Sequence, residues 1–272
     1  MNEAFSRKNY LRDIPFPFCA GCGGTIVANC FLKAVHELGH QDLQNFVFCS
    51  GIGCSSWIPS PHFKADSLHT THGRSIPVAT GVKLMRPDLR VVVFGGDGDI
   101  VGIGLSHLVH AARRNLDITV IMVNNMIYGM TGGQVAATTP LKAKTTTTPY
   151  GGFERPLDAA RLAVSAGACY AARWTTAHVN QLKEAMKKAL ITKGFGFVEV
   201  VSQCPTAYGR RVGFKNAGEM LLWLKKQSVT IEEAERLTEE ELEEKIVVGE
   251  FVAKTSPTLT EMIRAVLKEA RD

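Results

Sequence analysis

The runs Phe94-Gly-Gly-Asp-Gly-Asp-Ile100 and Ile121-Met-Val-Asn-Asn-Met-Ile-Tyr-Gly-Met-Thr131 carry the residue types that hold an anion and a divalent cation together. Each ends a β-branched run, Val91 to Val93 and Ile118 to Val123. They therefore fall at C-terminal strand edges, where open α/β sheets bind ligands. Gly95 and Gly96 let backbone approach an anion closely, and Asp97 offers a carboxylate beside it. The combination points to a diphosphate held through Mg²⁺. Between Gly98 and Asn124 lie 25 residues, enough for a crossover helix over about 101–114 and one strand. Asp97 and Asn124-Asn125 are thus expected on neighbouring parallel strands. The plainer alternative is a pair of ordinary βα turns with Asp97 as a helix cap.

Gly-Asp-Gly followed at this distance by Asn-Asn resembles the thiamine-diphosphate (ThDP) fingerprint, and that spacing weighs against the plain turns. The resemblance implies that Asp97 and Asn125 give side-chain oxygens to Mg²⁺ and Ile127 its backbone carbonyl, with diphosphate oxygens and a water completing an octahedron. Thr131, with the amides around Gly129, would complete a phosphate cradle. Gly96, Gly98, Asp99, Tyr128 and Met130 are the further cofactor contacts expected from these two segments.

Seven cysteines call for their own explanation. With no export signal, they read as metal ligands or redox groups before disulfides. Cys19-Ala-Gly-Cys22 is followed by Gly23-Gly24 and an apolar-periodic helix from about Thr25 to Leu38. Such a pair serves a zinc half-site, a redox dithiol or part of an iron–sulfur site, and its glycines expose amides toward sulfur. A tetrathiolate needs two more ligands. Cys54 follows the strand 45–49 and the turn Ser50-Gly-Ile-Gly53; Cys204 follows Phe197-Val-Glu-Val-Val201 and precedes Pro205. Both are expected at the same sheet edge as Asp97. Cys30, Cys49 and Cys169 read as small buried hydrophobes.

The chain has 272 residues, 45% apolar and 21% charged, enough for one large α/β domain or two small ones. No apolar run reaches membrane-spanning length and the N-terminus lacks a secretory core, so a soluble, cytoplasmic protein is expected. The net charge of +5 is spread over scattered pairs such as Arg113-Arg114 and Arg210-Arg211. They form no aromatic-lined groove, which argues against a nucleic-acid binder.

Taken with Thr71-His-Gly-Arg74-Ser-Ile-Pro77 and Gln203-Cys-Pro205, these motifs resemble the β subunit of 2-oxoacid:ferredoxin oxidoreductases, in order from about residue 15 to 215. The resemblance implies a 4Fe-4S cluster held by Cys19, Cys22, Cys54 and Cys204 close to ThDP. Gly51, Ile52, Gly53 and Cys54 would face the cofactor, and His72 would contact the diphosphate or the reacting centre. A helix-capping histidine is the simpler reading of His72. Ala20 stands where relatives commonly carry proline, which changes turn stiffness and removes no ligand.

The implied chemistry is ThDP-dependent decarboxylation of a 2-oxoacid and one-electron oxidation through the cluster to ferredoxin, with coenzyme A accepting the acyl group. Cys204-Pro-Thr-Ala-Tyr-Gly-Arg210 leans toward 2-oxoglutarate, although Trp57 replaces a basic residue of several relatives. The carboxylate that activates the aminopyrimidine is expected from a separate α subunit, in an αβ or (αβ)₂ assembly. Two other classes compete. One is a non-oxidative ThDP decarboxylase subunit with structural cysteines; the other is an electron-transfer scaffold with a degraded cofactor site.

The fold class expected is α/β, a parallel-sheet diphosphate-type domain with helices on both faces over 1–215 and a helical C-terminal extension over 216–272. Helices are expected at 156–167 and 178–192 and strands at 168–172 and 196–201. Thr145 to Pro149 reads as a solvent-exposed loop, and the acidic Glu239 to Glu244 as a solvated or partner-packing tail without the cysteine spacing of an added ferredoxin domain.

Overall fold

The structure, a computed structural model, describes residues 4–270. In chain order the elements are α1 (Gly24–Glu37), β1 (Phe46–Ser50), β2 (Asp66–His69), α2 (Ser75–Met85), β3 (Arg90–Gly96), α3 (Leu105–Arg113) and β4 (Thr119–Asn124). Then come α4 (Ala159–Ser165), β5 (Tyr170–Thr175), α5 (Val179–Ile191), β6 (Gly196–Val201), α6 (Ala217–Gln227) and β7 (Ser228–Thr230). The short α7 (Ile231–Ala234) and α8 (Glu239–Leu242), β8 (Ile246–Ala253) and α9 (Leu259–Glu269) complete the chain.

The strands form one sheet in the order β2-β1-β3-β4-β6-β5-β8-β7. Every pairing is parallel except β5 with β8. Strands covered on both faces must be apolar at consecutive positions, and β1, β4 and β6 are buried along their whole length. On one face α1 and α5 pack Phe31, Leu32 and Leu182 against Phe48, Phe94 and Val198. Phe31 meets Phe94 edge-to-face at 5.1 Å; removing one such ring costs about 3–5 kcal/mol. On the other face α2, α3 and α4 cover Val93, Val120 and Phe197 with Ile76, Leu108 and Ala163.

Register places the chemistry. Gly96 pairs with Val123 and Asn124 with Val201. Asp97 and Asn124 therefore leave adjacent strands side by side, as the spacing predicts, and Cys204 follows on the next strand. The crossover differs from a plain helix over 101–114. A π-helical turn spans Gly98–Ile103, and α3 begins only at Leu105. Such turns widen the helix at its entry, where ligand sites commonly lie.

The tail also differs. Its helices are present, α7, α8 and α9 each opened by a Thr–Glu capping box. Yet Ile246–Ala253 is a strand of the main sheet, antiparallel to β5 and parallel to the edge strand β7. Thr145 is buried, its hydroxyl bonded to Thr148 Oγ1 at 2.7 Å, while Thr146 and Thr147 are exposed. The expected exposed loop is thus partly an internally bonded turn. Among the described residues no helix is long and apolar enough to cross a membrane.

Candidate active site

Four segments meet at the C-terminal edge of the sheet: Ser50–Cys54 after β1, Gly96–Asp99 after β3, Asn124–Thr131 after β4 and Ser202–Cys204 after β6. Asp97 is 2% exposed. Thr138 Oγ1 donates to its Oδ2, and burial pushes its carboxyl up to about 6 against this bond and those of nearby amides. A carboxyl whose charge is disfavoured by burial is stabilised once a cation stands beside it. Thr139, next along, donates to the Met126 carbonyl at 2.7 Å. Two consecutive threonines thus tie the Asp97 turn to the Asn125 turn. Neither belongs to the two glycine-rich motifs, and a Thr-Thr pair 41 residues from Asp97 gives no signal of its own in sequence.

The second turn is built by its own side chains. Asn124 Oδ1 accepts the Met126 amide at 3.1 Å and Asn125 Oδ1 the Ile127 amide at 3.3 Å. Met126 takes the left-handed conformation, φ 64°, which a side chain other than Gly, Asn or Asp rarely adopts. Asn125 is half-buried while Met126 and Ile127 are buried, so the amide of Asn125 is the side chain of this turn left open to the edge. Tyr128 donates to the Gly98 carbonyl at 3.2 Å. A Cβ on Gly98 would stand 2.2 Å from the Tyr128 ring, so this glycine makes room for an aromatic. Gly95 is likewise filled by Ile100, 2.6 Å from such a Cβ; of the three glycines in this run, Gly96 alone meets nothing nearer than 3.6 Å. Close anion approach is thus available at Gly96.

Asp99 lies beneath the edge, 1% exposed. Its Oδ1 accepts from the Ile52 amide at 3.2 Å, the Gly73 amide at 2.7 Å and His72 Nδ1 at 2.7 Å. It pins the 51–53 and 72–73 loops together, and Gly51 is glycine because a Cβ there would fall 2.2 Å from the carboxylate. A carboxylate accepting from Nδ1 places the proton there and leaves Nε2 as the acceptor of the neutral ring. Asp99 Oδ2 and the hydroxyls of Ser50, Ser56 and Ser75 are buried without partners, all in segments that open onto this edge. Thr131 is exposed and donates to Gln134 Oε1 at 2.7 Å, turned toward its own loop. Ile52, Ile103 and Met130, on three of the segments around this edge, are exposed apolar side chains, 39%, 47% and 47% accessible.

The cysteines divide as their positions suggest. Cys30, Cys49 and Cys169 are buried; burial pushes Cys30 up to about 11 and Cys49 up to about 12, and Cys169 donates to Asn115 Oδ1 at 3.1 Å. Cys19, Cys22, Cys54 and Cys204 form one neighbourhood. Burial, then the charges of Cys22, Cys204 and Cys19, push Cys54 up to about 11. Cys22 is raised by burial and by Cys204 and Cys19 in turn, although the Gly24 amide donates to its sulfur at 3.5 Å. Cys204 sulfur faces the Ala207 and Tyr208 amides, at a π-helical turn over Pro205–Gly209. The Gly23 amide bonds the Gln203 carbonyl at 3.2 Å, which fixes the Cys19–Cys22 turn against the Cys204 segment.

Among the described residues no three His, Cys, Asp or Glu side chains are close enough to hold one ion. The thiols are therefore neighbours without forming a closed single-zinc site, whose sulfurs lie about 3.8 Å apart. With the Gly24, Ala207 and Tyr208 amides aimed at sulfur, the four thiols are donors of the type that holds an iron–sulfur centre. The two halves of the edge touch at Gly129. A Cβ there would stand 3.6 Å from Asn125 Nδ2 and 3.7 Å from Cys204 Sγ.

Comparison with known proteins identifies the family of the fold. Residues 51–200 match the family model of the thiamine pyrophosphate enzyme, C-terminal TPP binding domain. A 2-oxoglutarate synthase subunit KorB of Methanocaldococcus jannaschii is 50% identical over 264 residues, covering 96% of this chain and 97% of the relative. A 2-oxoacid:ferredoxin oxidoreductase subunit beta of Saccharolobus solfataricus is 43% identical over 192 residues, 70% of this chain and 62% of the relative. Among solved structures, a 2-oxoglutarate:ferredoxin oxidoreductase from Magnetococcus marinus, with 2-oxoglutarate, coenzyme A and succinyl-CoA bound, superimposes with TM-score 0.87 at 33% identity. That match covers 99% of this chain and 92% of the other. The chain therefore belongs to the β-subunit family of the 2-oxoacid:ferredoxin oxidoreductases, built on a thiamine pyrophosphate-binding domain.

Proposed function

We propose that this chain is the catalytic β subunit of an enzyme that oxidatively decarboxylates a 2-oxoacid, 2-oxoglutarate first, to its acyl-CoA and delivers the electrons to ferredoxin. The observation that carries this reading is the convergence at Gly129, where Asn125 of the cation turn and Cys204 of the thiol group flank one backbone position. A decarboxylation site and an electron acceptor must be this close for one oxidation to follow the other. When bound, ThDP supplies the electron sink for loss of carbon dioxide, and a 4Fe-4S cluster takes up electrons singly.

The chain's own residues define the rest. Asp97 and Asn125 side-chain oxygens and the Ile127 carbonyl would hold Mg²⁺, with Gly96 leaving room for a diphosphate oxygen. Gly51, Ile52, Gly53 and Cys54 form one wall, oriented by Asp99 through the Ile52 amide. His72, its Nδ1 proton kept by Asp99, presents Nε2 as a proton acceptor. Gly98, Tyr128, Gly129 and Met130 form the opposite wall, and Cys19, Cys22, Cys54 and Cys204 would ligate the cluster. Ile52, Ile103 and Met130 exclude water once a separate α subunit covers them. Residues 1–215 carry both cofactor sites and 216–272 brace them, since Met220 and Leu224 of α6 share a core with Met126 and Ile127. The same reading makes this a cytoplasmic protein.

The test is an anaerobic assay of the chain co-expressed with its α subunit, using coenzyme A, viologen dye and a panel of 2-oxoacids. Dye reduction with 2-oxoglutarate and about four iron atoms per chain is the expected result. Carbon dioxide release without iron or dye reduction would instead establish the non-oxidative decarboxylase.

A further inference from the structure

We propose that Glu199, acting through Asn124, is a positioning residue that sets the cation-binding turn Asn125–Ile127; the inference rests on the function proposed above. Glu199 lies within β6 between Val198 and Val200 and is 1% exposed. A carboxylate in such a strand is costly unless both oxygens are bonded. They are bonded to different things. Oε2 accepts from Arg173 Nε of β5 at 2.8 Å, while Oε1 accepts from Asn124 Nδ2 of β4 at 2.8 Å.

Asn124 is consequently held at both ends of its amide, because its Oδ1 accepts the Met126 amide at 3.1 Å. That bond fixes the turn in which Met126 stands at φ 64° and from which Asn125 and the Ile127 carbonyl are presented. Arg173 completes the buried line with a bond to Asp158 and another to the Val247 carbonyl of β8 at 3.2 Å. Strand β8 is thus wired to the cation turn across β5, β6 and β4. The bond that satisfies the second oxygen of buried Glu199 is the same bond that fixes the Asn124 amide. The second Glu199 oxygen and the fixed Asn124 amide serve the turn.

The α–β complex stripped of cofactor is titrated calorimetrically with Mg²⁺ at saturating ThDP, alongside melting of the stripped complex. Asn124→Asp keeps the acceptor for Met126 but sets a second carboxylate against Glu199; Mg²⁺ affinity is expected to fall about tenfold or more, as when other outer-shell partners of a metal site are removed. Adding Glu199→Gln restores a donor facing an acceptor, leaves an oxygen for Arg173 and returns the net charge. The double variant is expected to recover to within about threefold of wild type.

Wild-type Mg²⁺ affinity in Asn124→Asp, a double variant no better than the single, or losses that merely follow the melting temperature would each overturn the proposal. If Asn124→Asp fails to assemble, the uncharged Asn124→Ser is read by the same loss. A wild-type complex that binds no Mg²⁺–ThDP would instead overturn the proposed function together with this inference.

Discussion

At the scale of a residue, Asp97 concentrates the cost of the site. Its carboxyl titrates at about 6 in the fold against an ordinary 3.8, chiefly through burial. A raised carboxyl binds its proton more tightly folded than unfolded. Its contribution to stability is therefore full below about pH 4 and lost as pH rises through about 6, at most about 3 kcal/mol for a shift of roughly two units. Asp97→Asn removes that titration. In the metal-free protein it should melt above wild type by a margin that opens between about pH 4 and pH 6.5. Mg²⁺–ThDP added to wild type should close the margin, because the cation then compensates the charge. The same substitution should weaken Mg²⁺–ThDP binding about 100-fold, since a charged oxygen ligand is lost. Scanning calorimetry across that range checks the first part, and a margin equal at both ends would mean that Asp97 carries no buried, uncompensated charge. The motif named Asp97 in sequence. Thr138, which bonds it, was not legible, because a hydroxyl brought in from a distant loop leaves no periodicity or spacing to read.

At the scale of elements, the parallel sheet was legible because β3, β4 and β6 are near-continuous apolar runs, the first two ending in Gly96 and Asn124 and the third followed closely by Cys204. Their C-terminal edges are where the structure brings Asp97, Asn125 and Cys204 together. What sequence did not show has physical causes. Ile246–Ala253 follows the acidic α8 and is interrupted by Gly249 and Glu250, so its strand character shows only through pairing with β5 and β7. The π-helical turn at Gly98–Ile103 has no signature apart from its glycines. Glu199 is a single polar residue in an apolar run, and its partners Arg173 and Asn124 come from other strands, so no local spacing marks it. The cysteine division was readable from strand ends, and it makes a sharp test. Cys19→Ser, Cys22→Ser, Cys54→Ser and Cys204→Ser should each deplete iron and acid-labile sulfide. Cys30→Ala and Cys169→Ala should retain both and cost about 1 kcal/mol of core packing and bonding. Iron lost from Cys49→Ser but kept in Cys54→Ser would assign the third ligand to the β1 interior instead.

At the scale of the molecule, the two proposed cofactor sites share one sheet edge, and apolar residues around it are exposed. Ile52, Ile103 and Met130 are 39–47% exposed, more than a site that must exclude water tolerates on its own. The isolated chain should therefore show no turnover, and addition of its α partner should restore it. Adjacency of the sites does not make them chemically inseparable. Asp97 and Asn125 belong to the β3 and β4 turns, whereas Cys204 is held by the amides of its own π-helical turn. A Cys204→Ser complex that assembles should therefore keep ThDP affinity within about threefold, since no Mg²⁺ ligand is touched. It should still release some ¹⁴CO₂ from its 2-oxoacid while failing to reduce dye, because the electrons have lost their first acceptor. Both signals are read from one anaerobic preparation whose iron is measured. Dye reduction at the wild-type rate in iron-free protein would show that electrons leave the decarboxylation site without the thiol group, and the oxidative mechanism would fall with it.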